Sequence, residues 1–116
     1  MAQMGIGVQL FTLQETAAQD LPGTLKKVAE VGYKAVELAG YGNLKSAKDV
    51  KKALDDAGLK APAGHWSMDT LVKEFERIME DAQLLEMQWV VVPNLPEKLR
   101  KDAAAWKTTA KLLDEF

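Results

Sequence analysis

The chain has 116 residues, of which 47% are hydrophobic and 28% charged, with a formal net charge of −2 and no cysteine. These values describe one globular domain able to bury a core, and they exclude a disordered chain, disulfides, thiolate nucleophiles and Cys-type zinc sites. Acids and bases are interleaved, so no basic stripe exists for a phosphate backbone and no nucleic-acid partner is expected. The opening "MAQMGIGVQL" lacks a basic leader region, and no apolar run approaches the ~18 residues of a membrane span. The expectation is a cytoplasmic protein with no membrane partner.

The first β-rich segment is "IGVQLF", 6–11, with apolar residues at alternate positions. A helix is predicted over 21–31, capped by Asp20, with Pro22 in its first turn, Leu25, Val28 and Ala29 on one face and Gly32 closing it. A second strand, "AVELA", covers 35–39. Ser46 and Asp49 resemble a capping box for a helix over 47–57, which ends before Gly58. The third strand, "APAGHW" at 61–66, is poor by propensity because Pro62 and Gly64 lie inside it, and its place in the repeat carries the assignment. Asp69 can start a helix over 70–86, with Leu71, Phe75, Ile78, Met79, Ala82 and Leu85 at helical spacing. The unbroken apolar run "WVVVP" makes the fourth strand, 89–93. A last helix over 103–115 has Trp106, Ala110 and Leu113 as its apolar stripe.

The helix-to-strand joints "VGYKAVEL" and "AGLKAPAG" share one form, and "LEMQWVVV" repeats it with Glu86 in place of glycine. Strands recur at intervals of roughly 28 residues, the length of a βα unit. Alternating strands and helices imply parallel pairing with right-handed crossovers. Residues 1–116 therefore read as a single α/β unit of (βα)4 form. Eight such units close a barrel in ~250 residues, so the chain reads as half of one. The ending "LLDEF" puts Asp114 and Glu115 at the negative end of the helix dipole, which fits a chain cut short; a frayed terminus is the alternative.

Taken together, "IGVQLFTL", "GTLKKVAEVGYKAVELAGYG", "KKALDDAGLKAPAGHWSMDTL" and "WVVVPNLP" resemble the N-terminal half of sugar phosphate isomerases/epimerases of the xylose-isomerase-like TIM-barrel family. The resemblance implies proton or hydride movement beside a sugar carbonyl, usually with a divalent metal (Mn, Mg, Co or Zn) polarising the oxygens. It also implies that the metal ligands and catalytic acidic pair lie on strands of the second half, so no catalytic residue and no metal are expected in this chain alone. What it carries over is the pocket lining at the C-terminal strand ends: Phe11, Glu37, His65 and Asn94.

Gln9, Glu37 and His65 share a parity on their strands, opposite to Val36 and Leu38. Glu37 is then either a pocket-lining group or an internal polar partner joining neighbouring strands. His65 is the one histidine, placed where the third strand gives way to "WSMD". It can contact a sugar hydroxyl, or bond a nearby backbone group. Trp66, beside it, is a candidate for stacking on a sugar, whereas Trp89 and Trp106 are expected in the core. Tyr41, in the glycine-rich loop 39–43, can overhang a pocket. One His and one Glu fall short of the three ligands a catalytic zinc takes.

Three outcomes remain open on these residues. The chain is a half-barrel that is not catalytic alone and dimerises with itself; or the dimer rebuilds a divalent-metal sugar site from two copies of Glu37 and His65; or it is a purely structural or folding module.

Overall fold

The computed structural model describes residues 5–116; residues 1–4, the start of the segment expected to lack a leader, lie outside the described residues. Strands β1 (Gly7–Gln9), β2 (Ala35–Leu38), β3 (Lys60–His65) and β4 (Trp89–Val91) form one sheet in that order, all parallel. Helices α1 (Gln14–Gln19), α2 (Leu21–Val31), α3 (Ala47–Ala57), α4 (Met68–Lys73), α5 (Phe75–Leu84) and α6 (Ala103–Asp114) complete the unit. This is the four-strand half of a βα barrel.

Helices α2 and α3 have the expected bounds because their ends are fixed locally. Asp20 Oδ1 accepts from the Gly23 N–H at 3.0 Å and Ser46 Oγ from the Asp49 N–H at 3.2 Å. Gly32 and Gly58 close the two helices in the left-handed region. Their apolar faces meet one side of the sheet, where Leu25, Val36, Leu38, Val50 and Leu54 are fully buried.

β3 holds the longest strand despite its composition. Its register against β2 shifts between Ala35 and Glu37, an irregularity beside Pro62, which has no N–H to donate. Gly64 is closely packed: a Cβ there would lie 2.8 Å from the Met87 methyl and 2.9 Å from the Trp66 ring, so both side chains would have to shift to admit one. The two poor strand formers are thus accommodated by packing, which outweighs propensity.

Several expectations are corrected. The first strand ends at Gln9, and Leu10–Leu13 form a 3-10 turn leading into α1, so Phe11 is not on a strand. The helix expected over 70–86 begins at Met68 with Ser67, not Asp69, as its cap; Ser67 Oγ accepts from the Thr70 N–H at 3.1 Å. It is also split at Glu74, whose backbone leaves the helical region at φ −129°, with no glycine or proline to signal the break. The fourth strand stops at Val91 rather than 93. Trp89 and Trp106 are not core residues: they are 68% and 51% exposed.

The reason is geometric. A helix following a parallel strand packs over the furrow between that strand and the next, and β4 is an edge. α6 therefore has half a seat, held by Thr109 Oγ1 donating to the Leu99 carbonyl at 2.7 Å and by a Phe75–Phe116 stack at 4.9 Å. Between α6, α5 and β4 a cleft of about 600 Å³ stays open. Among the described residues nothing covers the other side of the sheet, and the radius of gyration is 15.6 Å, against about 13 Å for a close-packed chain of this length.

The α5–β4 joint keeps its form without glycine. Glu86 takes a left-handed φ of 58° and its carboxylate reaches Lys51 Nζ at 3.1 Å. Replacing Glu86 by Gly and by Ala removes that pair equally, while only Ala retains the backbone strain. Glu86→Gly should therefore be more stable than Glu86→Ala by about 1 kcal/mol in urea unfolding; equal midpoints would show that the joint is unstrained.

Candidate functional site

On a parallel strand alternate residues face opposite sides. The register sets Gln9 against Glu37, Glu37 against Ala63, and His65 against Val91. Val8, Val36, Leu38 and Gly64 then face the helices. Gln9, Glu37, Ala63, His65 and Trp89 share the uncovered side, which in a closed barrel is the interior.

Three of these side chains meet, each from a different strand and each at or near its C-terminal end. Gln9 Nε2 donates to Glu37 Oε1 at 3.3 Å and lies 3.4 Å from His65 Nε2. His65 Nε2 is in direct contact with the same Glu37 oxygen. One acceptor between two nitrogens selects the tautomer: with Nε2–H donating to Glu37, Nδ1 is left as the acceptor of the neutral ring. The His65 side chain is 14% exposed and that of Glu37 33%, so the cluster faces the open side without being buried in it. A carboxylate and an imidazole so placed can orient hydroxyl groups and exchange protons with them.

The remaining candidates do not join this cluster. Phe11 is 57% exposed on the 3-10 turn just beyond Gln9, at the same end of the sheet. Asn94 is exposed in the segment after β4. Trp66 lies on the other side: its ring sits over Gly64, which faces the helices, and its backbone N–H donates to the Val91 carbonyl at 3.0 Å. It serves the β3–β4 seam and is not placed to stack on a ligand beside His65.

Sequence reasoning also missed the anchoring of the loop that follows β2. Asn43 Oδ1 accepts from the Leu21 N–H at 2.8 Å, at the start of α2. Gly42 has φ 59° and lies so close to α1 that a Cβ would meet the Ala17 carbonyl oxygen, so only glycine fits there. Tyr41 donates to Asp81 Oδ2 at 2.7 Å, and Arg77 pairs with the same carboxylate at 3.2 Å. Tyr41 is thus tied to α5. The loop closing the strand that carries Glu37 is held against three helices. An Asn or Tyr within a glycine-rich loop was the only signal available.

As for the implied divalent metal, Glu37 and His65 supply two donors of the types that hold such ions, one short of a catalytic set. Among the described residues no group of three or more His, Cys, Asp or Glu side chains is disposed to hold a metal ion. The residues present do not fit the metal by themselves, and no step is assigned to it. Among the described residues no helix is long and apolar enough to cross a membrane.

Burial, followed by the hydrogen bond to Asp81, raises the Tyr41 pKa well above its ordinary 10.0. The folded chain holds this proton more tightly than the unfolded one. The resulting stability is complete below pH 10 and is lost as pH rises through and beyond it. Tyr41→Phe should cost about 1 kcal/mol near neutrality and flatten the alkaline fall in stability, as read by urea midpoints across that range. An unchanged alkaline slope would remove Tyr41 from this role.

No family model matches the chain. It is 33% identical over 70 residues to ATP-citrate synthase beta chain protein 1 of Oryza sativa subsp. japonica, a match covering 60% of this chain and 12% of that protein. Two solved structures of sugar phosphate isomerases/epimerases from Parabacteroides distasonis ATCC 8503 are each 27% identical with a TM-score of 0.63. They cover 83% and 81% of this chain, which spans 41% and 43% of theirs. The chain thus has the half-barrel fold of part of a sugar phosphate isomerase/epimerase, spanning less than half the length of those it resembles.

Proposed function

We propose that the chain supplies half of the mouth of a sugar-binding βα barrel, and that Gln9, Glu37 and His65 contact the hydroxyl groups of a sugar or sugar phosphate there. The observation carrying this reading is the meeting of three polar side chains from three adjacent strands on the uncovered side. It is joined by similarity to structures whose names state sugar phosphate isomerase/epimerase. The C-terminal strand ends are where βα barrels place their sites.

In this reading Glu37 accepts hydrogen bonds from the substrate, Gln9 holds the Glu37 carboxylate, and His65 offers Nδ1 to a hydroxyl. Phe11 stands at the rim as an apolar surface for a sugar face, and Asn94 lies beyond β4 as a further polar contact. The parent reaction is isomerisation or epimerisation at a carbon beside the sugar carbonyl. A divalent metal would polarise the oxygens there, its ligands coming from outside this chain. The chain alone is not catalytic, since its own donors stop at one carboxylate and one imidazole. The setting is the cytoplasm.

The single histidine makes this testable, because the chain has one imidazole to observe. A ketopentose phosphate titrated into labelled protein should move the His65 ring resonances in a saturable way. Glu37→Gln should weaken the response on the order of tenfold, the loss of one hydrogen bond to a charged group. No shift at tens of millimolar sugar, or equal binding by Glu37→Gln, would refute the assignment.

A further inference from the structure

The uncovered side and the two free edges of the sheet need an occupant, and α6 indicates which. On the β1 edge an apolar groove of about 430 Å³ runs on the helix side, lined by Val8, Leu13, Val28, Val31 and Tyr33. A groove in that position takes the helix of the βα unit preceding β1. On the opposite edge, α6 follows β4 and lacks the strand that would complete its seat. Trp106 and Ala110 on it are exposed, and Leu113, at the same helical spacing, only borders the open cleft against α5 and β4. The groove without a helix and the helix without a groove lie at the two ends of one sheet.

A two-fold axis parallel to the strands satisfies both at once. It sets β4 of one copy beside β1 of the other, parallel, at two equal junctions, and gives eight strands with no free edge. Twice the matched span comes to somewhat over four-fifths of the length of the similar solved structures. The exposed Trp89, Trp106, Ile6, Val31 (76% exposed) and Leu113 would be covered together. Their open area, over two copies, is on the order of 1,000 Å², the size a stable association needs. On the inner side, the small Gly7, Ala35 and Ala63 leave room for Trp89 of the opposite copy.

We infer that a second copy of this chain closes the barrel, with α6 of each copy seated in the β1–α2 groove of the other. The inference rests on the sugar-site reading for its purpose, because closure brings two Gln9–Glu37–His65 clusters into one mouth.

The test is the mass and the contact of the purified chain. Sedimentation at tens of micromolar should give twice the 12.8 kDa chain mass. Val31→Glu and Trp106→Glu, both at exposed positions, should each give folded monomers by circular dichroism. Because the chain has no cysteine, Val31→Cys with Trp106→Cys in one chain should be joined into covalent dimers by a short bismaleimide, and either cysteine alone should not be joined across this contact. This arm holds even if a glutamate variant fails to fold. A cooperative wild-type monomer, or a dimer that gives no Val31–Trp106 cross-link, would overturn the inference and assign the open face to another chain. A dimer that leaves the His65 resonances unmoved by sugar would sink the sugar reading and leave closure standing.

Discussion

Parallel strands are stable only when both faces and both edges of their sheet are satisfied, and this chain satisfies one face. On the helix side, Val36 and Leu38 are sealed under α2 and α3. The opposite side carries Gln9, Glu37 and His65, and among the described residues β1 and β4 each have one edge without a strand beside it. The exposed tryptophans, the half-seated α6, the groove beside β1 and the large radius of gyration are one fact expressed in four places. Each is what remains when a barrel's curvature and handedness are present but its circumference is not.

The candidate cluster depends on this register more than on any single contact. Because side chains alternate, a one-residue slip of β1 would carry Gln9 to the helix side and bring Val8 against Glu37. β1 has only three paired residues to prevent it. The register is defended from outside the strand. Gly42 allows the loop after β2 to approach the Ala17 carbonyl, Asn43 caps α2, and Tyr41 bonds to Asp81. These contacts hold β2 against the helices that flank it, so Glu37 has a fixed neighbour on each side.

What was legible in the sequence was local, and what was not depended on distant partners. Asp20, Ser46, Gly32 and Gly58 mark helix ends through groups within a few residues, and α2 and α3 came out with the bounds read for them. The shared parity of Gln9, Glu37 and His65 follows from the period of a strand, and the structure places the three in contact. Trp89 and Trp106 went wrong for a different reason. An apolar run states that a segment wants to be covered, and it does not state whether the cover lies in the same chain. Trp66 shows the limit of adjacency: next to His65 in sequence, it lies on the other side of the sheet because alternation reverses every residue. The break at Glu74 has no local marker.

The openness that leaves the tryptophans exposed also sets the strength of the Glu37–His65 contact. In the single chain that pair is only partly covered, so water still competes for its hydrogen bonds and weakens the interaction. Enclosed among eight strands, the same groups would sit at lower dielectric, where hydrogen bonds strengthen and dipoles no longer reorganise with solvent. The proton movement proposed for such a site would gain from that exclusion of water, because fewer solvent molecules would compete with substrate for the carboxylate. Under the proposed closure, covering the sheet and sharpening the site would be one event. In that arrangement Trp89 on the inner side and Trp106 on α6, both exposed in the single chain, would act on the site by being covered, without touching substrate.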